Sequence, residues 1–176
     1  MHRSKIKSGG DVRRKKTTSP ALTVRLVGQS TPTITQALIL EHEILRQIFD
    51  QIESVLSRSQ SARVVKSLAL VVEGLLSKHG KIEINLVYSV LDHVLAERNA
   101  SKDLYQHHEE LDGHFARIHR TSGPAKASSL LKKALTATRE HFRREEQIVF
   151  PTLEEILRPE TLWTLGDQWR KAISSS

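Results

Sequence analysis

From Thr33 onward, apolar residues recur at spacings of three and four, the period of a helix with one buried face. Four stretches carry the pattern. The first, about 33–58, has Leu38, Leu45, Phe49, Ile52 and Leu56 after Thr-Pro-Thr, which reads as a helix start. The second, about 61–98, has Leu68, Val72, Leu75, Leu86 and Val90, with Ser61 as its cap and Gly74 and Gly80 as weak points. The third, about 102–120, has Leu104, Leu111, Phe115 and Ile118 and stops before Ser122-Gly123-Pro124. The fourth, about 125–157, has Leu131, Ala134, Thr138, Ile148, Thr152 and Ile156, with a kink expected at Pro151. A short last helix around Trp163 and Trp169 is placed to cover one end of the core. Strand-like alternation is nowhere sustained, and short connections favour an all-α, antiparallel four-helix bundle. The expected organisation is a disordered basic extension at 1–32, the bundle at 33–158 and a short C-terminal helix with its tail at 159–176.

The stripes are interrupted by polar residues. His42 stands between Leu38 and Leu45, and His108 between Leu104 and Leu111. The second stripe passes through His79 and Glu83, the fourth through His141 and Glu145, each pair four residues apart and hence on one face. A buried imidazole without a partner costs about 1–3 kcal/mol, and a buried lone carboxylate tends to protonate. One core histidine is commonly just hydrogen-bonded; four of them on four helices, with two glutamates, point to a metal. A hydrogen-bonded polar network is the bland alternative. Imidazole and carboxylate without thiolate suit iron, manganese or zinc, and a two-metal cluster needs bridging carboxylates.

The polar positions repeat. A shift of 62 carries His79-Gly-Lys-Ile-Glu83 onto His141-Phe-Arg-Arg-Glu145, Val87-Tyr88 onto Val149-Phe150, and Leu91 and Leu95 onto Leu153 and Leu157. A shift of 66 carries His42-Glu43 onto His108-Glu109, with Leu45, Phe49 and Ile52 falling on Leu111, Phe115 and Ile118. The chain reads as two helical hairpins, each built as His…His-x-x-x-Glu. Packing alone does not require polar positions to repeat.

Composition narrows the setting. The chain of 176 residues, long enough for one sizeable core, has no cysteine, which excludes disulfides and thiolate metal sites and favours a reducing compartment. No apolar run nears the ~20 residues of a membrane span and no signal-peptide core is evident, so a soluble, cytoplasmic protein is expected. Of the net charge of +7, residues 1–30 supply all, with eight basic residues against Asp11; the remainder holds 27 − 8 = 19 basic and 20 − 1 = 19 acidic residues. This tail, with Gly9-Gly10 and Pro20, reads as a disordered, solvated extension; nucleic acid, an acidic partner or a membrane surface are its alternative contacts.

The ordered set of motifs, EHEIL, HGKIE, HHEEL and HFRREEQIVFP, resembles the hemerythrin-like, or HHE cation-binding, family over about Ile34 to Leu157. The resemblance implies a four-helix bundle holding a non-haem di-iron centre. Glu83 and Glu145 would bridge two iron ions, with His42, His79, His108 and His141 as terminal ligands. Two departures stand out. Oxygen carriers of the family have a second histidine one turn along the third helix, where this chain has Asp112, either a further oxygen ligand or a rim residue. Tyr88-Ser89 replaces the frequent Phe-Pro, bringing a phenol near the cluster or leaving a tyrosine in the core or on the rim.

Other histidines fit less well. His107 lies about 100° off the stripe and is expected at the surface or behind a ligand. His93 and Glu97 repeat the His-x-x-x-Glu spacing, but the shift of 62 puts His93 on Glu155, so they read as a surface pair. His114, His119 and His2 are expected to be solvated. The family implies binding or sensing of oxygen, nitric oxide, peroxide or iron status. The alternatives are a di-iron redox enzyme acting in nitrosative or oxidative stress or iron-centre repair, and an interaction protein working through its tail.

Overall fold

The computed structural model describes residues 31–58, 61–94 and 102–174. The basic extension, His2, Leu95 and Glu97 lie outside the described residues. Residues 31–176 form a compact unit of their own.

Among the described residues, seven α-helical segments form five rods: α1 (Ile34–Leu56); α2 (Ala62–Glu83), continued by a π-helical turn (Ile84–Tyr88) into α3 (Ser89–Val94); α4 (Lys102–Arg120); α5 (Pro124–Arg144), continued by a second π turn (Glu145–Val149) into α6 (Phe150–Ile156); and α7 (Pro159–Ser174). No strand occurs among the described residues. Local sequence sets the starts. Thr33 Oγ1 accepts the Gln36 amide and Gln36 Oε1 accepts the Thr33 amide, a reciprocal cap on α1. Ser61 accepts the Val64 amide, and Pro124 supplies its fixed φ to the first turn of α5 after Gly123. The helix runs through Gly74 and Gly80 unbroken.

Two apolar clusters form the core. One holds Leu45, Phe49, Ile52, Val72, Phe115, Leu131 and Phe142, the other Ile34, Leu38, Val87, Tyr88, Leu104, Phe150 and Leu153. Along α1 the chain passes from the second cluster to the first, along α2 it returns, and α4 and α5 repeat the pair. The four rods therefore alternate in direction, as the short connections predict. Each crosses from one cluster to the other through its polar residues, so these form a layer between the clusters. Through Leu162, Leu165 and Trp169, α7 closes the second cluster, while Trp163 stays exposed. A Cβ on Gly166 would fall 2.0 Å from the Pro32 carbonyl oxygen, so only glycine lets α7 approach the start of α1 this closely. No described helix is long and apolar enough to cross a membrane.

The stripes need correction beyond each glutamate. After Glu83 the α-helical count selects Leu86 and Val90, but Val87, Tyr88 and Leu91 are buried instead. After Glu145 it selects Ile148, Thr152 and Ile156, yet Ile148 is 58% exposed while Val149, Phe150 and Leu153 are buried. Each π turn inserts one extra residue and rotates the following face by about 100°. The amide of Ser89 bonds back to the Ile84 carbonyl, five residues earlier. Pro151, its counterpart under the shift of 62, has no N–H to donate. In the second turn the amide of Phe150 bonds to Glu145, one position earlier. Leu75 is a separate miss: it is exposed, because the buried face of α2 is lined by the smaller Val65, Ala69 and Val72.

Candidate metal centre

Six predicted residues meet in the layer between the clusters. His42 comes from the middle of α1, His79 and Glu83 from the last turns of α2, His108 from α4, His141 from α5, and Glu145 from the first residue of the second π turn. Five are buried, and the His108 side chain is 18% exposed. Their donor atoms form two overlapping groups, His42, His79, Glu83 and Glu145 in one, Glu83, His108, His141 and Glu145 in the other, each within 4.8 Å. The two glutamates belong to both.

Donors at about 2.1 Å from one ion and at right angles stand about 3 Å apart. His42 Nε2 and His79 Nε2 are 3.2 Å apart, and His141 Nε2 and Glu145 Oε1 3.1 Å. His42 Nε2 lies 3.6 Å from Glu145 Oε2, and His79 Nε2 3.6 Å and His108 Nε2 3.7 Å from Glu83 Oε2. This spacing suits cations held in two positions.

The outer nitrogen of His42 fixes which of its atoms faces inward. His42 Nδ1 lies 2.8 Å from Glu146 Oε1, a carboxylate gripped at both oxygens by Arg46 Nη2 at 2.9 Å. A carboxylate only accepts, so Nδ1 carries the hydrogen and Nε2 presents its lone pair to the centre. His79 Nδ1 faces Glu41 Oε2 at 3.4 Å, and that oxygen takes the Trp169 indole N–H at 2.9 Å. His42 Nε2 thus presents a lone pair towards His79 Nε2 at 3.2 Å, whereas His79 Nδ1 has no hydrogen-bond partner in the described structure. His79 Nδ1, Glu83 Oε1, both ring nitrogens of His141 and Glu145 Oε2 are buried without a hydrogen-bond partner in the described structure. Imidazole and carboxylate donors in this number fit a hard or borderline divalent cation.

The electrostatics agree. Burial, with the neighbouring His79, pushes His42 down to about 2, and burial with His141 pushes His108 down to about 4. Both imidazoles are thus neutral at physiological pH, the form that ligates. Burial and the Glu145 charge push Glu83 well up. Burial would also raise Glu145, but hydrogen bonding and charge from His141, with His42 and Tyr88, hold it at about 2. Two carboxylates this close share their charge badly without a counter-ion.

The two halves are covered differently. Phe142 stacks on His42 at 3.9 Å with 9° between rings, while its counterpart under the shift of 62 is Gly80. A Cβ there would fall 2.7 Å from His108 Nδ1, so the missing side chain makes room for that ring. A cleft of about 130 Å³ bounded by Gly80, His108 and Asp112 reaches this side.

Among the remaining candidates, Asp112 is exposed and belongs to neither donor group. His107 is half-buried with its ring 5.8 Å from that of His141, on the outside of the cluster. His93 is exposed. His119 is half-buried and bonds Glu73 at 2.7 Å rather than water alone, correcting the expectation of a solvated ring; His114 is also half-buried. Sequence reasoning missed Glu41, Glu146, Arg46 and Trp169. Glu41 and Glu146 do adjoin a donor in sequence, which is the one signal available; Trp169 has none.

The family profile described as the hemerythrin HHE cation binding domain matches residues 33–153. No curated protein and no solved structure matches the chain.

Proposed function

The chain belongs to the hemerythrin HHE cation-binding family, and on that premise we propose that it is a non-haem di-iron protein that binds or senses oxygen, nitric oxide, peroxide or iron status. The observation that carries this is the pair of donor groups sharing Glu83 and Glu145. His42 and His79 would hold one ion, His108 and His141 the other, and the two glutamates would bridge. Bound iron supplies reversible one-electron chemistry and affinity for small oxidants and gases.

The protein's own groups do the rest. Glu146 holds the outer nitrogen of His42, keeping its Nε2 lone pair aimed inward, and Glu41 faces the outer nitrogen of His79. Phe142 and Phe150, ring centroids 3.9 and 5.7 Å from that of His42, exclude water from its side. The cleft beside Gly80 and His108 supplies the approach for a small molecule.

The test is metal analysis on chain from iron-replete cells, prepared without chelator or affinity-tag metal, followed by anaerobic titration of the reduced protein with nitric oxide or oxygen. About two irons per chain and a stoichiometric, reversible spectral change support binding or sensing. Sustained consumption of the gas points instead to a redox enzyme. A folded chain that takes up no metal refutes the reading.

A further inference from the structure

Tyr88 reaches the cluster through the first π turn, which rotates it onto the buried face. It is fully buried. Its phenol oxygen lies 3.1 Å from His108 Nε2 and 3.4 Å from Glu83 Oε2, and its hydroxyl donates to Glu145 Oε1. The oxygen thus stands among three donor atoms of the second group, at the spacing of neighbouring donors on one ion.

The duplication provides an internal comparison. Under the shift of 62, Tyr88 falls on Phe150. The Tyr88 ring lies 5.6 Å from that of His108, and the Phe150 ring 5.7 Å from that of His42. The two rings hold equivalent places, one beside each metal position. A ring at this place needs no hydroxyl to fill the core, as Phe150 shows. The hydroxyl is the whole difference between the two halves there, and it points at donors.

We infer that Tyr88 Oη is a further protein donor to the cluster, on the metal position of His108 and His141. The inference rests on the two-metal reading and makes its two positions chemically unequal. On ligation the phenol O–H bond breaks, the proton leaves to water, and the oxygen lone pair forms the bond to the ion; no electron is transferred. Glu145, relieved of the phenol hydrogen, keeps both oxygens for the ions.

The experiment compares wild type, Tyr88→Phe and Tyr105→Phe, each loaded with iron, oxidised and checked for metal content and helicity. The two tyrosines are the chain's full complement, so the assignment has an internal control. Phenolate bound to ferric iron absorbs in the visible and enhances tyrosinate ring modes in resonance Raman spectra. Both signals are expected in wild type and Tyr105→Phe and lost in Tyr88→Phe, with two irons retained in all three. Phe150 in the equivalent place argues that Tyr88→Phe folds. A loaded wild type without tyrosinate modes, or a Tyr88→Phe protein that keeps them, overturns the inference while leaving the two-metal reading intact. A wild type that takes up no iron overturns both.

Discussion

Glu145 is the most exacting position to perturb, because it belongs to both donor groups. Its Oε1 lies 3.1 Å from His141 Nε2 and accepts the Tyr88 hydroxyl, and its Oε2 lies 3.6 Å from His42 Nε2. Replacing it with alanine has opposed effects on the metal-free fold. Stranding buried polar partners costs about 1–3 kcal/mol each. Against this, the charge that helps push Glu83 up disappears. The absolute melting temperature is therefore a poor readout, and its response to metal is the sharp one. An ion at one hundred times its dissociation constant stabilises by about 2.7 kcal/mol, so two ions contribute about 5 kcal/mol. In a chain of this size 1 kcal/mol moves Tm by about 2–4 °C, so chelation is expected to lower the wild-type Tm by roughly 10–20 °C. In Glu145→Ala the metal content is expected to fall from about two towards zero and the chelator shift to vanish. Glu145→Gln, which fills the same volume, separates loss of the carboxylate from a cavity. Calorimetry with and without chelator, beside elemental analysis, measures both quantities. An alanine variant that keeps two ions and the full chelator shift would show that Glu145 bridges nothing.

Two further outcomes concern the surroundings of the site. Glu41→Gln and Trp169→Phe are each expected to weaken metal affinity by about 10–100-fold, since Trp169 steadies the carboxylate that faces His79 Nδ1; competition with a chelator of known affinity checks this, and unchanged affinity in both would remove Glu41 from the site. Across the second π turn, Phe150→Ala is expected to cost about 3–5 kcal/mol. Ile148→Ser should cost under about 0.5 kcal/mol, and denaturant unfolding in which Ile148 proves the costlier site would contradict the rotated face.

The π turns also explain what could be read from sequence. His79, Glu83, His141 and Glu145 were legible because they lie at or before those turns, where an α-helical count holds; His42 and His108 were legible because α1 and α4 contain no such turn; and the interruptions repeat. The bundle was legible from the helical period and its alternating direction from the short connections. Beyond Glu83 and Glu145 the count runs one residue early, which put Ile148 inside and left the placing of Tyr88 open. Nothing in residue type announces a π turn; Pro151 accompanies the second, but Ser89 stands at its place beside the first. Glu41 and Trp169 escaped for another reason. Their meeting depends on how α7 lies across α1, through the close approach at Gly166, and no periodicity encodes a contact between rods.

Gly80 turns a duplicated frame into one with an inside and an outside. A ring clamped by a phenyl group on one face, as His42 is by Phe142, can swing only if the core swings with it. The His108 ring meets bare backbone at Gly80, with the Tyr88 and His141 rings edge-on to it elsewhere. Two cations in such a cage would not be equally sheltered. The one on the glycine side would meet small molecules arriving through the cleft, while the phenyl ring of Phe142 shields the other.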